Sequence, residues 1–127
     1  MSRTVYDTRF FIELYYSNNK KILQRTRTEK KHKEKYISTI VIHEVYKLTL
    51  MREDRETAIL RAALLKKDFK TVPVDPEIAE MSAELRQKYN LSMGDSMIAA
   101  TAVSLNAICV SDDPHFQRIK EIKTAWI

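Results

Sequence analysis

Five acidic residues stand out by type and position: Asp7, Glu44, Asp95 and the adjacent pair Asp112 and Asp113. They lie far apart along the chain. Each follows a strand-like stretch or falls early in a helical one. Carboxylates crowded into one pocket repel one another and raise each other's pKa. A divalent cation removes that cost, and a set of oxygen donors suits Mg²⁺ or Mn²⁺. Each acid also has an ordinary structural use. Asp7 can cap a helix beginning at Thr8, and Glu44 can favour the positive end of its helix. Ser92 and Asp95 fit the S-x-x-D capping pattern. Asp112-Asp113-Pro114 reads as a turn into a helix. Taken singly, those uses suffice, so only joint placement of the acids points to a site.

The elements that must position these acids alternate. Residues 3–7 read as a short strand rich in β-branched and aromatic side chains. A helix follows from Thr8 to about Asn18, with Phe11, Leu14 and Tyr15 at helical spacing. A basic, poorly amphipathic helix lies within residues 20–35, and residues 35–38 form a second strand. Residues 39–67 are helical, with a break near Arg52-Glu53-Asp54. Residues 69–74 form a third strand, and Asp75-Pro76 is a strong helix start. A further helix follows Gly94 and runs to about Asn106. Ala107-Ile108-Cys109-Val110 is the short apolar strand of a buried parallel sheet. A short helix over residues 114–119 and a strand over residues 123–126 close the chain. This alternation predicts one α/β domain over residues 1–127, with a parallel sheet covered by helices on both faces. Sites in such sheets form at the carboxyl ends of the strands, and right-handed crossovers put those loops on one side. The scattered acids can therefore meet.

Composition narrows the class. One glycine and three prolines argue against a turn-rich all-β fold. Cys109 is the only cysteine, which points to a reducing cytoplasm. No signal peptide is expected, since Phe10-Phe11-Ile12 is interrupted by Glu13, and the near-apolar run from Met97 to Val103 is too short to span a membrane. The net charge of +5 is concentrated: residues 20–35 hold eight of the 22 Lys and Arg but only two of the 17 Asp and Glu. Such a segment attracts phosphate backbones, with Lys30, Lys31 and Lys33 as candidate contacts, or is a solvated lysine-rich face. The absence of a Gly-rich phosphate loop excludes P-loop nucleotide hydrolysis, and no His or Cys spacing suggests zinc. Of the three histidines, His32 is expected in solvent, His43 points away from Glu44, and His115 is a turn residue near the acids. Cys109 is expected to be inert packing, and Tyr15, Tyr16 and Trp126 to serve core or dimer packing.

The motifs together resemble the PIN domain family, in particular the VapC-type toxins and their archaeal relatives, over essentially the whole chain. Val5-Tyr6-Asp7-Thr8 is similar to that family's opening strand ending in Asp-Thr. Residues Ser38 to Glu44 resemble its S-x-x-x-x-x-E helix start. Leu91-Ser92-Met93-Gly94-Asp95-Ser96-Met97-Ile98-Ala99-Ala100-Thr101-Ala102 resembles its L-x-x-x-D-x-x-I-A-A-x-A helix. Val110-Ser111-Asp112-Asp113-Pro114-His115-Phe116 resembles the closing T-x-D-x-x-F motif. Three positions depart from the pattern: Arg9 stands where Ser or Asn is common, Ser96 where Ala is, and Ser111 where Thr is.

The resemblance implies an α/β/α sandwich around a five-stranded parallel sheet, with the strand ending at Asp7 central. It implies a Mg²⁺- or Mn²⁺-dependent endoribonuclease and carries the metal-site and catalytic roles onto Asp7, Glu44, Asp95 and Asp113. Thr8, Arg9, Ser111 and Asp112 are secondary candidates, Arg9 either gripping a phosphate or pairing with a carboxylate. The implied partners are an RNA substrate, an antitoxin protein and a second copy in a homodimer. Three functions stay open: the toxin of a VapBC-type toxin–antitoxin pair, a PIN nuclease of RNA processing, and an inactive PIN-like scaffold that binds RNA or protein.

Overall fold

The computed structural model describes residues 3–32 and 34–127. Five strands form one parallel sheet: β1 (Thr4–Tyr6), β2 (Lys35–Ser38), β3 (Lys70–Val72), β4 (Ile108–Val110) and β5 (Lys123–Ala125), in the order β3-β2-β1-β4-β5. From β1 the chain builds outward through β2 to β3, then returns to β4 on the other side. The order therefore reverses at β1. With right-handed crossovers, that reversal puts helices on both faces and opens a crevice beyond the carboxyl ends of β1 and β4. The fold is the expected α/β/α sandwich. Tyr6 lies opposite Val110, so Asp7 and Ser111 leave the sheet side by side. The Asp7 N–H donates to the Val110 carbonyl at 3.1 Å, which holds the two exits together.

Seven helices connect the strands: α1 (Thr8–Tyr16), α2 (Lys20–Glu29), α3 (Thr39–Arg52), α4 (Arg55–Asp68), α5 (Pro76–Tyr89), α6 (Met93–Leu105) and α7 (Pro114–Gln117). Their ends follow from local chemistry. Asn19, Ser38, Asp54, Asp75 and Ser92 each accept a backbone N–H in the first turn of the helix that follows. The Asp54 cap is what splits the helical stretch after β2 into α3 and α4. Asn90 and Asn106 end α5 and α6 in the left-handed conformation, with φ of 55° and 50°. Asparagine does there what glycine usually does, so a chain with one glycine can still stop its helices.

The core forms around the central strand. Tyr6, Phe10 and Phe11 are fully buried and pack with Phe69 through ring pairs 4.8–5.4 Å apart. The small buried residues Ala99, Ala100 and Ala102 let α6 lie close against β1, β2 and β4. That close packing fixes the first turn of α6, which carries Asp95.

Some local boundaries differ from expectation. β3 stops at Val72 because Pro73 has no N–H to continue the ladder, and Phe69 is the buried C-cap of α4. The basic helix ends at Glu29. His32, expected in solvent, lies past that end and is half-buried, with no described partner for Nδ1. Tyr15 and Tyr16 are engaged by the Arg61 guanidinium, which lies 4.1 and 5.1 Å from their ring centres. No helix among the described residues is long and apolar enough to cross a membrane.

Candidate active site

Asp7 occupies the N-cap position of α1, yet its side chain makes no capping bond. Ser111 Oγ donates to Asp7 Oδ2 at 2.7 Å instead. The side chain is buried, at 3% exposure. Burial raises its pKa to about 7. The Asp95 and Glu44 charges add to the rise, and hydrogen bonds from the Ser111 hydroxyl and the Thr8 N–H oppose it. This carboxylate is therefore held at the crevice without serving the helix behind it.

Glu44 projects from the second turn of α3. Thr8 Oγ1 donates to its Oε1 at 2.5 Å. A Cβ at Gly94 would come within 2.6 Å of Glu44 Oε2, so the carboxylate rests against the bare backbone of α6. Two neighbouring segments thus fix its two oxygens.

Asp95 lies in the first turn of α6, where its N–H donates to Ser92 Oγ at 3.2 Å. Burial, and next the charge of Asp113, raise its pKa. Asp113 follows β4. Its N–H donates to Ser111 Oγ at 3.0 Å, so one hydroxyl ties both Asp7 and Asp113. Asp113 Oδ1 also caps α7 through the His115 N–H at 2.9 Å and lies 2.8 Å from His115 Nδ1. Asp95, Asp113 and His115 can each offer a ligand atom within 4.8 Å of the others. Asp7 and Glu44 stand beside this trio rather than in it.

Asp112 turns the other way. It forms an exposed two-pronged ion pair with Arg9, whose Nη2 lies 3.3 Å from Asp112 Oδ2. This is a carboxylate pairing of the kind expected as one of the two roles for Arg9. Adjacent residues leaving a strand point to opposite sides, which separates Asp112 from Asp113.

Lys30 is 3.8 Å from Asp68, Lys31 is exposed just after α2, and Lys33 lies outside the described residues. The exposed cations of α2 itself are Lys20, Lys21, Arg25 and Arg27.

Two residues gain parts that sequence reasoning did not give them. His115, read as a turn residue, is in the turn but carries its ring onto Asp113. Its signal was its position in the first turn after an N-cap, where side chains lean back toward the cap. Gly94 is a lone glycine in a helix where no positive φ is needed, a sign of close approach.

The donor set fits a hard divalent cation. Three aspartates and a glutamate share the crevice, and Arg9, whose charge lowers the cost of charge on Asp95, is paired with Asp112. Glu44 and Asp113 each use one oxygen for a positioning hydrogen bond, and the other takes none from a described residue, while Asp7 is held by the Ser111 hydroxyl and the Thr8 N–H. Held carboxylates with an open oxygen are what a metal site requires.

A family model described as PIN domain matches residues 4–122. Among solved structures, the chain is similar to DNA-bound VapBC from Salmonella typhimurium, at 19% identity and a TM-score of 0.80, over 99% of this chain and 98% of that one. It is similar to a toxin–antitoxin complex from Klebsiella pneumoniae at 24% identity and a TM-score of 0.73, over 94% of each chain. It is also similar to VapC20 from Mycobacterium tuberculosis, a sarcin–ricin loop cleaving toxin, at 18% identity and a TM-score of 0.76, over 94% of this chain and 98% of that one. At these identities the likeness carries the fold. No curated protein matches the sequence.

Proposed function

The chain belongs to the PIN domain family, and from that premise we propose that it is a metal-dependent endoribonuclease acting as the toxin of a toxin–antitoxin pair. One observation carries the reading: Asp95 and Asp113 meet beyond the carboxyl ends of the central strands, with Asp7 and Glu44 beside them and no cation among the described residues paired to the group except the His115 ring. Mg²⁺ or Mn²⁺ would be held by Asp95 and Asp113, with Asp7, Glu44 and His115 joining directly or through water. When bound, such an ion lowers the pKa of water and offsets the charge that builds on a phosphate in hydrolysis.

The chain's own residues supply the positioning. Ser111 aligns Asp7 with Asp113, and Thr8 aligns Glu44. Asp112 keeps Arg9 at the rim, where it lowers the cost of charge on Asp95 without filling the crevice. The exposed cations of α2 and Lys31 suit an RNA backbone passing over the surface.

The partners follow the same reading. Leu50, Ile59, Leu60 and Leu64 are exposed on α3 and α4, apolar positions suited to a second copy or an antitoxin. The complexes among the similar structures, VapBC and a toxin–antitoxin pair, favour the toxin reading over an RNA-processing nuclease of the same chemistry. The intact acidic set argues against an inactive scaffold. A buried free Cys109, its thiol pushed up by burial, suits a cytoplasmic protein. The test is expression in a bacterial host: growth should arrest, and Asp7→Asn should relieve it. Undiminished growth with well-folded wild-type protein would remove the toxin assignment.

A further inference from the structure

The side of α3 that carries Glu44 continues past the acids. Ile40, His43, Glu44, Lys47, Leu48 and Met51 recur at spacings of one helical face, and together with Met93 and Gly94 of α6 they line a groove of about 350 Å³. Most of its lining side chains are apolar, the Glu44 carboxylate is among them, and the exposed His43 and Lys47 put basic groups at its rim. Met51 is 73% exposed and Met93 55% exposed, so this face is not part of the core. Lys47 is exposed and has no ion-pair or hydrogen-bond partner among the described residues.

The groove's shape and chemistry limit the occupant. Its volume is at the low end for ligand pockets, enough for one nucleotide unit and too small for a helix or a duplex. A phosphate has nothing to gain from apolar walls, whereas the flat face of a base does. Thioethers are polarizable and favour aromatic rings. A cation at the rim suits the phosphate on the far side of that base. Resting on the nuclease reading above, we propose that this groove is the subsite for the nucleobase next to the scissile phosphate of single-stranded RNA. Met51 and Met93 clasp the base, and Lys47 holds the following phosphate. Recognition of an unstacked base between side chains is the usual way that proteins read single-stranded RNA.

The test is binding of a fluorescein-labelled single-stranded RNA 12-mer of mixed sequence to the full chain, by anisotropy in Ca²⁺. A parallel set of RNAs carries one abasic nucleotide at each position in turn. Met51→Ser and Lys47→Gln both change exposed positions, and circular dichroism checks that they fold. The wild type should lose about three- to ten-fold in affinity at one abasic position. Met51→Ser should lose a similar factor on intact RNA and nothing further at that same position. Lys47→Gln should flatten the slope of log affinity against log salt by about 0.7. If the Met51→Ser and abasic losses multiply at every position, the subsite is wrong. Unchanged RNA affinity in both variants, with self-association lost in sedimentation, would assign the groove to a second protein copy and overturn it too. Coupled losses without any cleavage in Mn²⁺ would keep the subsite and remove the nuclease reading. Cleavage without coupling would do the reverse.

Discussion

Gly94, the single glycine of the chain, lies against Glu44: a Cβ at that position would meet Oε2 at 2.6 Å and Cδ at 3.3 Å. Its φ is not positive, so the backbone does not call for glycine. The missing side chain instead makes room for a carboxylate between α3 and α6.

Gly94→Ala should therefore separate folding from function. The clash falls on the far end of a flexible side chain, which can swing away cheaply. Alanine in a helix is favoured over glycine by up to about 1 kcal/mol. The melting temperature should hold or rise, while RNA cleavage falls by about ten-fold or more as Glu44 leaves its place. A variant that is more stable and equally active would show that the Glu44 position does not matter.

Asp7 gives a pH dependence. Its folded pKa of about 7 lies above the ordinary value of 3.8. The native state therefore keeps a proton that the unfolded chain has already lost. The stability this contributes is complete below about pH 4 and is lost as pH rises to about 7. Its size is on the order of a few kcal/mol. In EDTA, the melting temperature of Asp7→Asn relative to wild type should rise by several degrees between pH 4 and pH 8. Saturating Mn²⁺ at pH 8 should reverse the order, because the wild type alone gains from full ligation. A difference that stays flat with pH in EDTA would mean that Asp7 ionises normally.

Asp112 and Asp113 should behave differently although they are neighbours. Asp112→Asn breaks an ion pair with an exposed arginine, worth about 0–1 kcal/mol, and should keep most activity. Asp113→Asn alters the group beside Asp95 and should cost about a hundred-fold or more in cleavage rate. Asparagine can still cap α7, so both variants should fold. Parallel rate measurements decide, and a more damaging Asp112→Asn would move the site to the other side of the turn.

Charge on α2 can be weighed by salt titration. Replacing Arg25, Arg27 and Lys31 with Gln should weaken RNA binding whatever the sequence. The salt slope should flatten by about 0.7 for each phosphate that is no longer neutralised. Lys30→Gln should do less, because Lys30 is near Asp68. An unchanged slope in the triple variant would leave α2 as a solvated face.

The alternation of strands and helices was legible because each element carries its own signal. The Asp75-Pro76 helix start, the Asp54 break and the apolar run before Ser111 all mark local chemistry. The meeting of acids from distant segments was legible only through topology, since parallel strands deliver their carboxyl ends to one edge. Features that depend on a specific neighbour were not legible. His115 gains its place through the one-turn helix that Asp113 caps, and Gly94 through the reach of Glu44 from another helix. Lys30 looked like a free cation until α4 brought Asp68 beside it.

If these carboxylates hold a divalent cation to cut RNA, cleavage must depend on both the ion and the acids. The most direct measurement is single-turnover cleavage of a labelled single-stranded RNA by the wild type and Asp95→Asn, each with Mn²⁺ and with EDTA. The wild type should cut in Mn²⁺ and stop in EDTA, and Asp95→Asn should be inactive in both while still folded. Cleavage by the wild type that survives EDTA, or undiminished cleavage by Asp95→Asn, would show that the acids hold no catalytic cation.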